Sequence, residues 1–160
     1  MKITLNPNAK DVATRDALVA EGGFGKYYTD HMVICEWTEK DGWAEPSLIP
    51  YGPLSLDPAT AVFHYGQEIF EGMKAYSQPD GSISLFRPDA NARRFARSAA
   101  RLALPELTVE EFIETITTLV KQDRKWVPMK VGESLYIRPF MFATEVGLGV
   151  RPSNQAKYVL

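Results

Sequence analysis

Two turn signals confine much of this chain to short antiparallel strands. Pro79-Asp80-Gly81 separates residues 73–77 from residues 82–86, and both segments alternate apolar and polar side chains. Proline presets one backbone dihedral and glycine accepts a positive φ, so this tripeptide favours a tight turn. Lys40-Asp41-Gly42 follows the strand-like residues 31–37 in the same manner. The pattern therefore predicts two β-hairpins.

Prolines follow the hairpin at Lys40-Asp41-Gly42, and glycines precede it. Pro46, Pro50 and Pro53 keep the chain extended, but proline lacks the N–H that a strand donates, so we expect edge pairing at most. Residues 1–23 have no clear pattern and predict an irregular arm. Gly22-Gly23-Phe24-Gly25 lacks the glycine spacing and the preceding strand of a dinucleotide-binding site, so it predicts an ordinary loop.

Proline next to an acidic residue marks the start of two helices. Asp57-Pro58 supplies a capping acid and a first-turn proline, and this helix is expected to run to Glu71, where Gly72 ends it. Pro88-Asp89 opens a second helix, which should extend to about Ala103. Both helices alternate with the predicted hairpins along the chain.

A third helix has the clearest scaffold pattern. Thr108 and Glu111 have the spacing of a capping box, and Pro128 should close the helix. Its apolar residues follow a period of 3.6 and form one stripe: Val109, Phe112, Ile113, Ile116, Leu119 and Val120. Further strands are expected over residues 134–142 and 156–160. Hairpins with helices between them and no internal repeat predict an α+β fold, an antiparallel sheet with flanking helices.

Composition fits one domain and excludes several functions. The 160 residues are 45% hydrophobic and 24% charged, which supplies enough apolar material for a core. The formal net charge of −2 offers no basic field to nucleic acid or to an anionic membrane. No apolar run reaches the ~20 residues of a membrane span and no signal peptide is evident, so we expect a soluble, cytoplasmic protein.

Cysteine and histidine usage argues against metal chemistry. Cys35 is the only cysteine and follows two apolar residues, so it predicts a small buried side chain. The only histidines, His31 and His64, are far apart and lack the spacing of ligands. We therefore expect no metal site.

The last residues bear on the extent of the chain. Residues 156–160 have the character of a strand, and the sequence stops within it, whereas natural ends are usually polar and frayed. This pattern predicts a fragment, with the next strand and a further domain beyond residue 160.

Four arginines follow Asp89 on the second helix. Arg94, Arg97 and Arg101 are spaced i, i+3 and i+7 and so share one face, while Arg93 does not. That face is either a solvated, ion-paired surface or a clamp for an anion, because guanidinium binds phosphate as a bidentate fork. The spacing leaves both alternatives open.

A similar choice arises at Tyr136 and Arg138. In a strand these two side chains project to one face, and Leu135 and Ile137 project to the other, where they would cover a core. The polar face is either exposed to water or lines a pocket. In a pocket, Arg138 would meet a carboxylate and the Tyr136 hydroxyl would orient it.

The segment HYGQEIFEGMKAY, residues 64–76, combines a histidine, aromatic rings, carboxylates and a lysine. On the helical assignment Tyr65 and Ile69 are i, i+4 neighbours, and Gly72 then permits a sharp turn. The segment is either a structural corner between helix and strand or the wall of an active site, with Lys74 as a candidate catalytic amine.

Together these motifs resemble the branched-chain amino-acid aminotransferases, which are fold-type IV pyridoxal-phosphate enzymes. The matching pieces come in family order: Thr29-Asp30-His31-Met32 with Glu36-Trp37, HYGQEIFEGMKAY, FRPDANARRFARSAARLALP over 86–105, SLYIRP over 134–139, and Gly147-Leu148-Gly149-Val150. They cover roughly residues 24–160. The resemblance implies a homodimer that uses pyridoxal 5'-phosphate. It would transfer amino groups of leucine, isoleucine or valine to 2-oxoglutarate and yield branched 2-oxo acids and glutamate.

The resemblance also implies roles for individual residues. The family's arginine for the cofactor phosphate matches Arg94, which leaves the other three arginines structural or solvated. Its substrate-pocket positions match Tyr28, Tyr65, Phe70, Tyr136, Arg138, Leu148 and Val150. Leu148 and Val150 match a loop that reaches the neighbouring subunit's pocket, and Tyr65 is likewise shared across the interface.

The family's catalytic groups are expected outside this chain. Its Schiff-base lysine and the acid that pairs with the pyridine nitrogen lie in the carboxyl-terminal half, beyond residue 160, and Lys74 matches a different lysine. The resemblance thus implies a small amino-terminal domain, residues 1–160, without a catalytic residue and inactive alone. Two alternatives stay open: an isolated, self-associating domain without catalysis, or another fold-type IV enzyme such as a D-amino-acid aminotransferase or an aminodeoxychorismate lyase.

Overall fold

The computed structural model describes residues 1–160. The strands are β1 (Lys2–Ile3), β2 (His31–Thr38), β3 (Gly42–Trp43), β4 (Ser47–Pro50), β5 (Glu68–Phe70), β6 (Met73–Ser77), β7 (Ile83–Leu85), β8 (Leu135–Ile137), β9 (Phe140–Ala143) and β10 (Gln155–Val159). The helices are α1 (Val12–Glu21), α2 (Ala61–Tyr65), α3 (Pro88–Arg101) and α4 (Val109–Gln122), and a 3-10 helix covers Arg124–Trp126. None of the helices has both the length and the apolar character needed to cross a membrane.

The strands form two sheets. The larger sheet has the order β1-β4-β2-β10-β9-β5, with β3 also paired to β2. The smaller sheet has the order β7-β6-β8. The β1–β4 pair is parallel, and every other pair of strands is antiparallel. The predicted α+β fold is confirmed, but its antiparallel strands are divided between two sheets instead of one.

The core lies where α3 and α4 pack on each other and against the larger sheet. Phe95 of α3, Phe112 of α4 and Tyr158 of β10 meet there, with ring centroids 5.2 to 6.3 Å apart. The Thr115 hydroxyl lies 3.1 Å from the Tyr158 hydroxyl, which satisfies both buried polar atoms. α4 therefore serves as the scaffold that its apolar stripe predicts.

Both predicted hairpins and two predicted helices are confirmed. β6 pairs with β7 around Pro79-Asp80-Gly81, and β2 pairs with β3 around Lys40-Asp41-Gly42. Pro88 occupies the first turn of α3. α4 follows Thr108, which forms the expected capping box with Glu111. Local capping and turn chemistry was sufficient to predict these elements.

The helix predicted from Asp57-Pro58 to Glu71 is wrong. Only the short α2 is helical, and it ends at Gly66, whose φ of +60° lies in the left-handed region that glycine adopts without strain. The Asp57 carboxylate accepts the Ala59 N–H at 2.7 Å in a turn, and α2 begins after Thr60 instead. The chain beyond Gly66 then pairs with β9 as strand β5.

The single strand predicted over residues 134–142 is also wrong. Its two halves are β8 and β9, which belong to different sheets. Pro139 separates them because it lacks an N–H, while its carbonyl accepts the Glu71 N–H at 2.8 Å. Similarly, α4 stops at Gln122, well before Pro128, and the 3-10 helix occupies part of the interval.

The arm predicted as irregular over residues 1–23 contains a strand and a helix. At the start of α1 the Asp11 carboxylate accepts the Thr14 N–H at 2.8 Å, an N-cap that explains why the helix begins there. β1 pairs with β4, so β4 lies between β1 and β2 and is not the expected edge strand. The prolines lie outside the part of β4 that pairs with β1: Pro50 is the last residue of β4, and Pro46 precedes the strand and accepts the Lys2 N–H at its carbonyl, at 3.0 Å.

A buried polar cluster fastens the arm to the rest of the fold. The Nδ1 atom of His31 lies 2.7 Å from Oδ1 of Asp123, and its Nε2 atom accepts the backbone N–H of Asn6 at 2.9 Å. Because Nε2 accepts, the ring carries its proton on Nδ1 and donates it to Asp123. Nearby, the Asp30 carboxylate accepts the backbone N–H of Lys10 at 3.0 Å. The arm is thus held by specific hydrogen bonds.

Cys35 is buried, as predicted for a small apolar side chain. Its Sγ atom lies 3.0 Å from the Ala44 carbonyl oxygen. Burial raises the pKa of the thiol to about 11, so Cys35 stays protonated and unreactive at neutral pH.

Candidate functional site

A cavity of about 810 Å³ lies beside the small sheet. Its walls come from α1 and the loop that follows it, from α4, from β8 and from the end of β10. Three of the predicted pocket residues line this cavity: Tyr28, Tyr136 and Arg138. Most of its lining is hydrophobic, so a ligand there would meet apolar surface with a few polar groups.

Tyr136 and Arg138 form one unit on the polar face of β8. Arg138 donates to the Tyr136 hydroxyl from Nη2 at 2.8 Å and from Nε at 3.2 Å. The Arg138 guanidinium also lies over the ring of Phe70, 4.5 Å from its centroid. Ile137 faces the core, so the predicted alternation along this strand is confirmed. The structure therefore brings three predicted residues into direct contact.

Two aromatic residues that line the cavity, Phe24 and Tyr51, were not predicted. Phe24 meets Tyr136 edge to face, with ring centroids 4.7 Å apart, and Tyr51 stacks on Tyr28 at 4.9 Å. Both lie in segments without regular secondary structure, where periodicity carries no information. Their only signal in the sequence is that they are large aromatic residues in glycine- and proline-rich loops.

The corner between β5 and β6 connects the unit formed by Phe70, Tyr136 and Arg138 to α3. The Glu71 carboxylate is buried and accepts from Arg94 Nε at 2.5 Å, from Arg94 Nη2 at 2.7 Å and from Asn91 at 2.8 Å. Burial raises the pKa of Glu71, but the hydrogen bonds from Arg94 and Asn91 outweigh it and leave the pKa lowered. At Gly72 a Cβ would lie only 2.4 Å from the Tyr136 hydroxyl. Glycine thus allows that hydroxyl to approach the corner.

The predicted arginine face forms one side of α3. Arg94, Arg97 and Arg101 line a shallow depression of about 410 Å³ together with neutral residues. Arg93 points elsewhere and pairs with Asp89 one turn earlier on the helix. Hydrogen bonding to Glu71 raises the pKa of Arg94. The depression therefore presents three guanidinium groups, of which that of Arg94 is paired with the buried Glu71 carboxylate.

Tyr65, Leu148 and Val150 lie apart from the cavity. The Tyr65 hydroxyl donates to the Leu148 carbonyl, and this bond holds the loop after β9 against the end of α2. The side chains of Leu148 and Val150 are exposed. Lys74 lies on the exposed face of β6, opposite Tyr136, and it contributes to the cavity lining. The predicted pocket residues thus form two groups on this chain.

Comparison with solved structures identifies the fold. The chain superposes with a TM-score of 0.60 on the branched-chain amino acid aminotransferase from Escherichia coli, over 82% of this chain and 40% of that one, at 22% identity. A similar protein from Thermobaculum terrenum, in its PLP form, gives a TM-score of 0.55 at 17% identity over 81% of this chain and 38% of that one. The fold is that of the amino-terminal part of the fold-type IV enzymes.

Sequence comparison shows which fold-type IV enzymes the chain is similar to. No family model matches the chain. It is 56% identical to a probable branched-chain-amino-acid aminotransferase of Streptomyces coelicolor and 57% identical to a branched-chain-amino-acid aminotransferase of Mycolicibacterium smegmatis, over 99% of this chain in both cases. The match spans 44% and 43% of those relatives' lengths. The chain is therefore homologous to the amino-terminal part of the branched-chain aminotransferase family.

Proposed function

We propose that residues 1–160 are the small amino-terminal domain of a pyridoxal-phosphate-dependent branched-chain amino-acid transaminase. The whole enzyme would transfer the amino group of leucine, isoleucine or valine to 2-oxoglutarate, giving branched 2-oxo acids and glutamate. The observation that carries this proposal is the 57% identity, over 99% of the chain, to a relative of that name. The catalytic lysine would come from the carboxyl-terminal part of the enzyme, so this chain alone would be inactive.

The unit formed by Phe70, Tyr136 and Arg138 has the chemistry that both substrates require. A branched aliphatic side chain needs apolar contact, and its burial contributes about 1.5–3 kcal/mol. Glutamate needs a cation or a hydroxyl for its second carboxylate. Arg138 can supply the charge and Tyr136 can supply a donor, while Phe70 and Tyr28 provide apolar surface. One wall would therefore serve both half-reactions.

Arg94 fits the phosphate of the cofactor. Glu71 engages only Nε and Nη2 of its guanidinium, and the side chain is otherwise exposed beside Arg97 and Arg101. A dianionic phosphate would find in this depression the charge that it needs. The bound cofactor would supply an electron sink, and this chain would contribute its orientation and electrostatic environment.

A homodimer would complete the pocket. Tyr65, Leu148 and Val150 lie apart from the cavity of their own chain, and their exposure leaves them available to a neighbouring subunit. The hydrogen bond between Tyr65 and Leu148 would present them together. This arrangement supports the prediction that these residues reach the partner's active site. The cytoplasmic location stays a prediction from the sequence.

The decisive test is an assay of this domain joined to its carboxyl-terminal part. We expect glutamate to form from L-leucine and 2-oxoglutarate. Arg138→Met should raise KM for 2-oxoglutarate more than KM for L-leucine, because only glutamate and its oxo acid carry the second carboxylate.

D-Alanine and aminodeoxychorismate serve as competing substrates in the same assay. Turnover of D-alanine or of aminodeoxychorismate without turnover of L-leucine would replace the proposal by one of the other fold-type IV activities. If none of the three is turned over and the domain only self-associates in sedimentation, the non-catalytic alternative is correct.

A further inference from the structure

The pair formed by Glu71 and Arg94 is unequal in its access to water. The Glu71 side chain is 2% exposed and the Arg94 side chain is 62% exposed. A buried carboxylate must be compensated by hydrogen bonds and charge, and Glu71 receives two bonds from Arg94 and one from Asn91. The carboxylate is therefore fixed from inside the fold, whereas the guanidinium reaches outward.

This geometry restricts how Arg94 can move. A free arginine on a helix surface samples many rotamers, and ordering it on a ligand costs entropy. Here Nε and Nη2 are both held at 2.5 and 2.7 Å by the same carboxylate. The plane and the direction of the guanidinium are thereby set before any ligand arrives. The backbone N–H of Glu71 is itself bonded to the Pro139 carbonyl, so the anchor is rigid.

We propose that Glu71 is a positioning residue, whose buried carboxylate holds the Arg94 guanidinium in the orientation that receives the cofactor phosphate. The proposal rests on the proposed function, because it assumes that Arg94 binds that phosphate. Glu71 does not touch the phosphate in this scheme and acts only through Arg94.

Glu71 could also weaken phosphate binding instead of strengthening it, and the direction in which a substitution changes the affinity distinguishes the two effects. A carboxylate beside Arg94 also cancels part of the positive charge that a phosphate would meet. If charge cancellation were the dominant effect, removing the negative charge would tighten phosphate binding. If orientation dominates, removing it weakens binding. Glu71→Gln keeps the shape of the side chain and so separates these two effects.

The experiment uses the enzyme containing this chain and its carboxyl-terminal part, freed of cofactor and titrated with pyridoxal phosphate by absorbance. Glu71→Gln should raise the apparent dissociation constant roughly tenfold, the size expected when one charge-assisted contact loses its alignment. The constant for pyridoxal, which lacks the phosphate, should not change. Asp89→Asn is the matched control: it removes a carboxylate from an arginine of the same helix, Arg93, and should leave both constants unchanged.

A double-mutant cycle with Arg94→Ala separates positioning from general damage. In the Arg94→Ala enzyme, Glu71→Gln should cause no further loss of pyridoxal phosphate affinity, since the residue through which it acts is gone. In that background it should also raise the melting temperature, because it removes a buried charge left without its partner. This second readout remains available even if the single Glu71→Gln variant is poorly folded.

Each failure has a distinct meaning. If Arg94→Ala leaves pyridoxal phosphate affinity unchanged, the phosphate assignment in the proposed function is wrong, and this inference falls with it. If Arg94→Ala weakens binding while Glu71→Gln leaves it unchanged or tighter, only the positioning role is overturned. Equal losses for pyridoxal and pyridoxal phosphate, or additive losses in the cycle, would also overturn it.

Discussion

Asp123 and Glu71 are buried acidic side chains that each pair with a basic residue, and the two pairs differ in what the basic residue can do. Asp123 and His31 are each 4% exposed, so both members are enclosed. Glu71 is equally enclosed, but Arg94 extends into solvent. In the first pair every polar atom finds its partner within the chain, including His31 Nε2, which is bonded to Asn6.

The Asp123–His31 pair, called the closed pair here, is purely structural, whereas the Glu71–Arg94 pair, the open pair, keeps hydrogen-bond donors free for a ligand. The closed pair fastens the arm and offers nothing to a ligand, because no donor or acceptor is left over. The open pair uses one edge of a guanidinium to neutralise a buried charge and leaves the remaining edge available. A buried carboxylate paired with a basic side chain is thus a structural contact at Asp123 and part of a candidate binding site at Glu71.

Asp123→Ala should have the largest effect on stability. The substitution leaves two buried donors of His31, its backbone N–H and its Nδ1–H, without an acceptor. We expect a loss of about 3 kcal/mol in the free energy of unfolding, since each unsatisfied buried donor costs about 1–3 kcal/mol. Urea denaturation of the 160-residue chain measures this. A loss below about 1 kcal/mol would mean that the closed pair is not what secures the arm.

Arg94→Ala should have a smaller effect that depends on pH. Removing the hydrogen bonds to Glu71 would cost about 1–2 kcal/mol near neutral pH, a value reduced for the exposure of Arg94. The pKa of Glu71 is lowered in the folded chain from an ordinary value of 4.5, so its stabilising contribution is present above that pH and is lost as pH falls through the folded pKa.

The stability difference between wild type and Arg94→Ala should therefore shrink in acid. Denaturation curves at pH 7 and at the lowest pH where the wild type stays folded provide the comparison. A difference that is constant with pH would show that Glu71 is not the group left unpaired.

Gly72→Ala tests whether the corner beside the open pair depends on close approach. The new Cβ would lie 2.4 Å from the Tyr136 hydroxyl, and the Tyr136 ring must therefore move away from Arg138. Overpacking of this kind costs about 1–3 kcal/mol, and we expect the lower end because the site is partly open. Thermal unfolding and the tyrosine absorbance difference spectrum measure it. In a Tyr136→Phe background the cost should fall, and an unchanged cost would rule out this contact as its source.

Asp89→Asn should have the smallest effect. Asp89 and Arg93 form an exposed pair one helical turn apart, and such pairs contribute about 0.3–0.5 kcal/mol. Denaturation in low and high salt should differ little from the wild type. A loss as large as that of Arg94→Ala would show that burial of the carboxylate does not distinguish the pairs on α3.

Elements defined by local chemistry could be predicted from the sequence, and those defined by distant partners could not. The Thr108 capping box and the Pro79-Asp80-Gly81 turn act within a few residues and were assigned correctly. The helix predicted to end at Gly72 stops at Gly66 instead. The residues beyond Gly66 pair as β5 with β9, a strand far along the chain that local patterns cannot reveal. The same nonlocal cause divides the predicted strand at Pro139.

The candidate site follows the same rule. Alternation along β8 was sufficient to group Tyr136 with Arg138, and helical spacing was sufficient to group Arg94 with Arg97. The contact between Glu71 and Arg94 was not predictable, because the two residues lie in different parts of the fold and no spacing rule links them. Phe24 was missed for the related reason that loops have no period from which a direction can be inferred.

The position of β10 has a consequence for how the chain folds. This strand lies in the middle of the larger sheet, where Val159 pairs with Ile34 on one side and with Phe140 on the other. The first of these contacts joins residues from opposite ends of the chain, so its formation requires closure of a very long loop. Such topologies fold slowly compared with helical hairpins like α3 and α4. During synthesis on the ribosome, the edge of β2 that pairs with β10 would stay unpaired until residues 155–159 emerged.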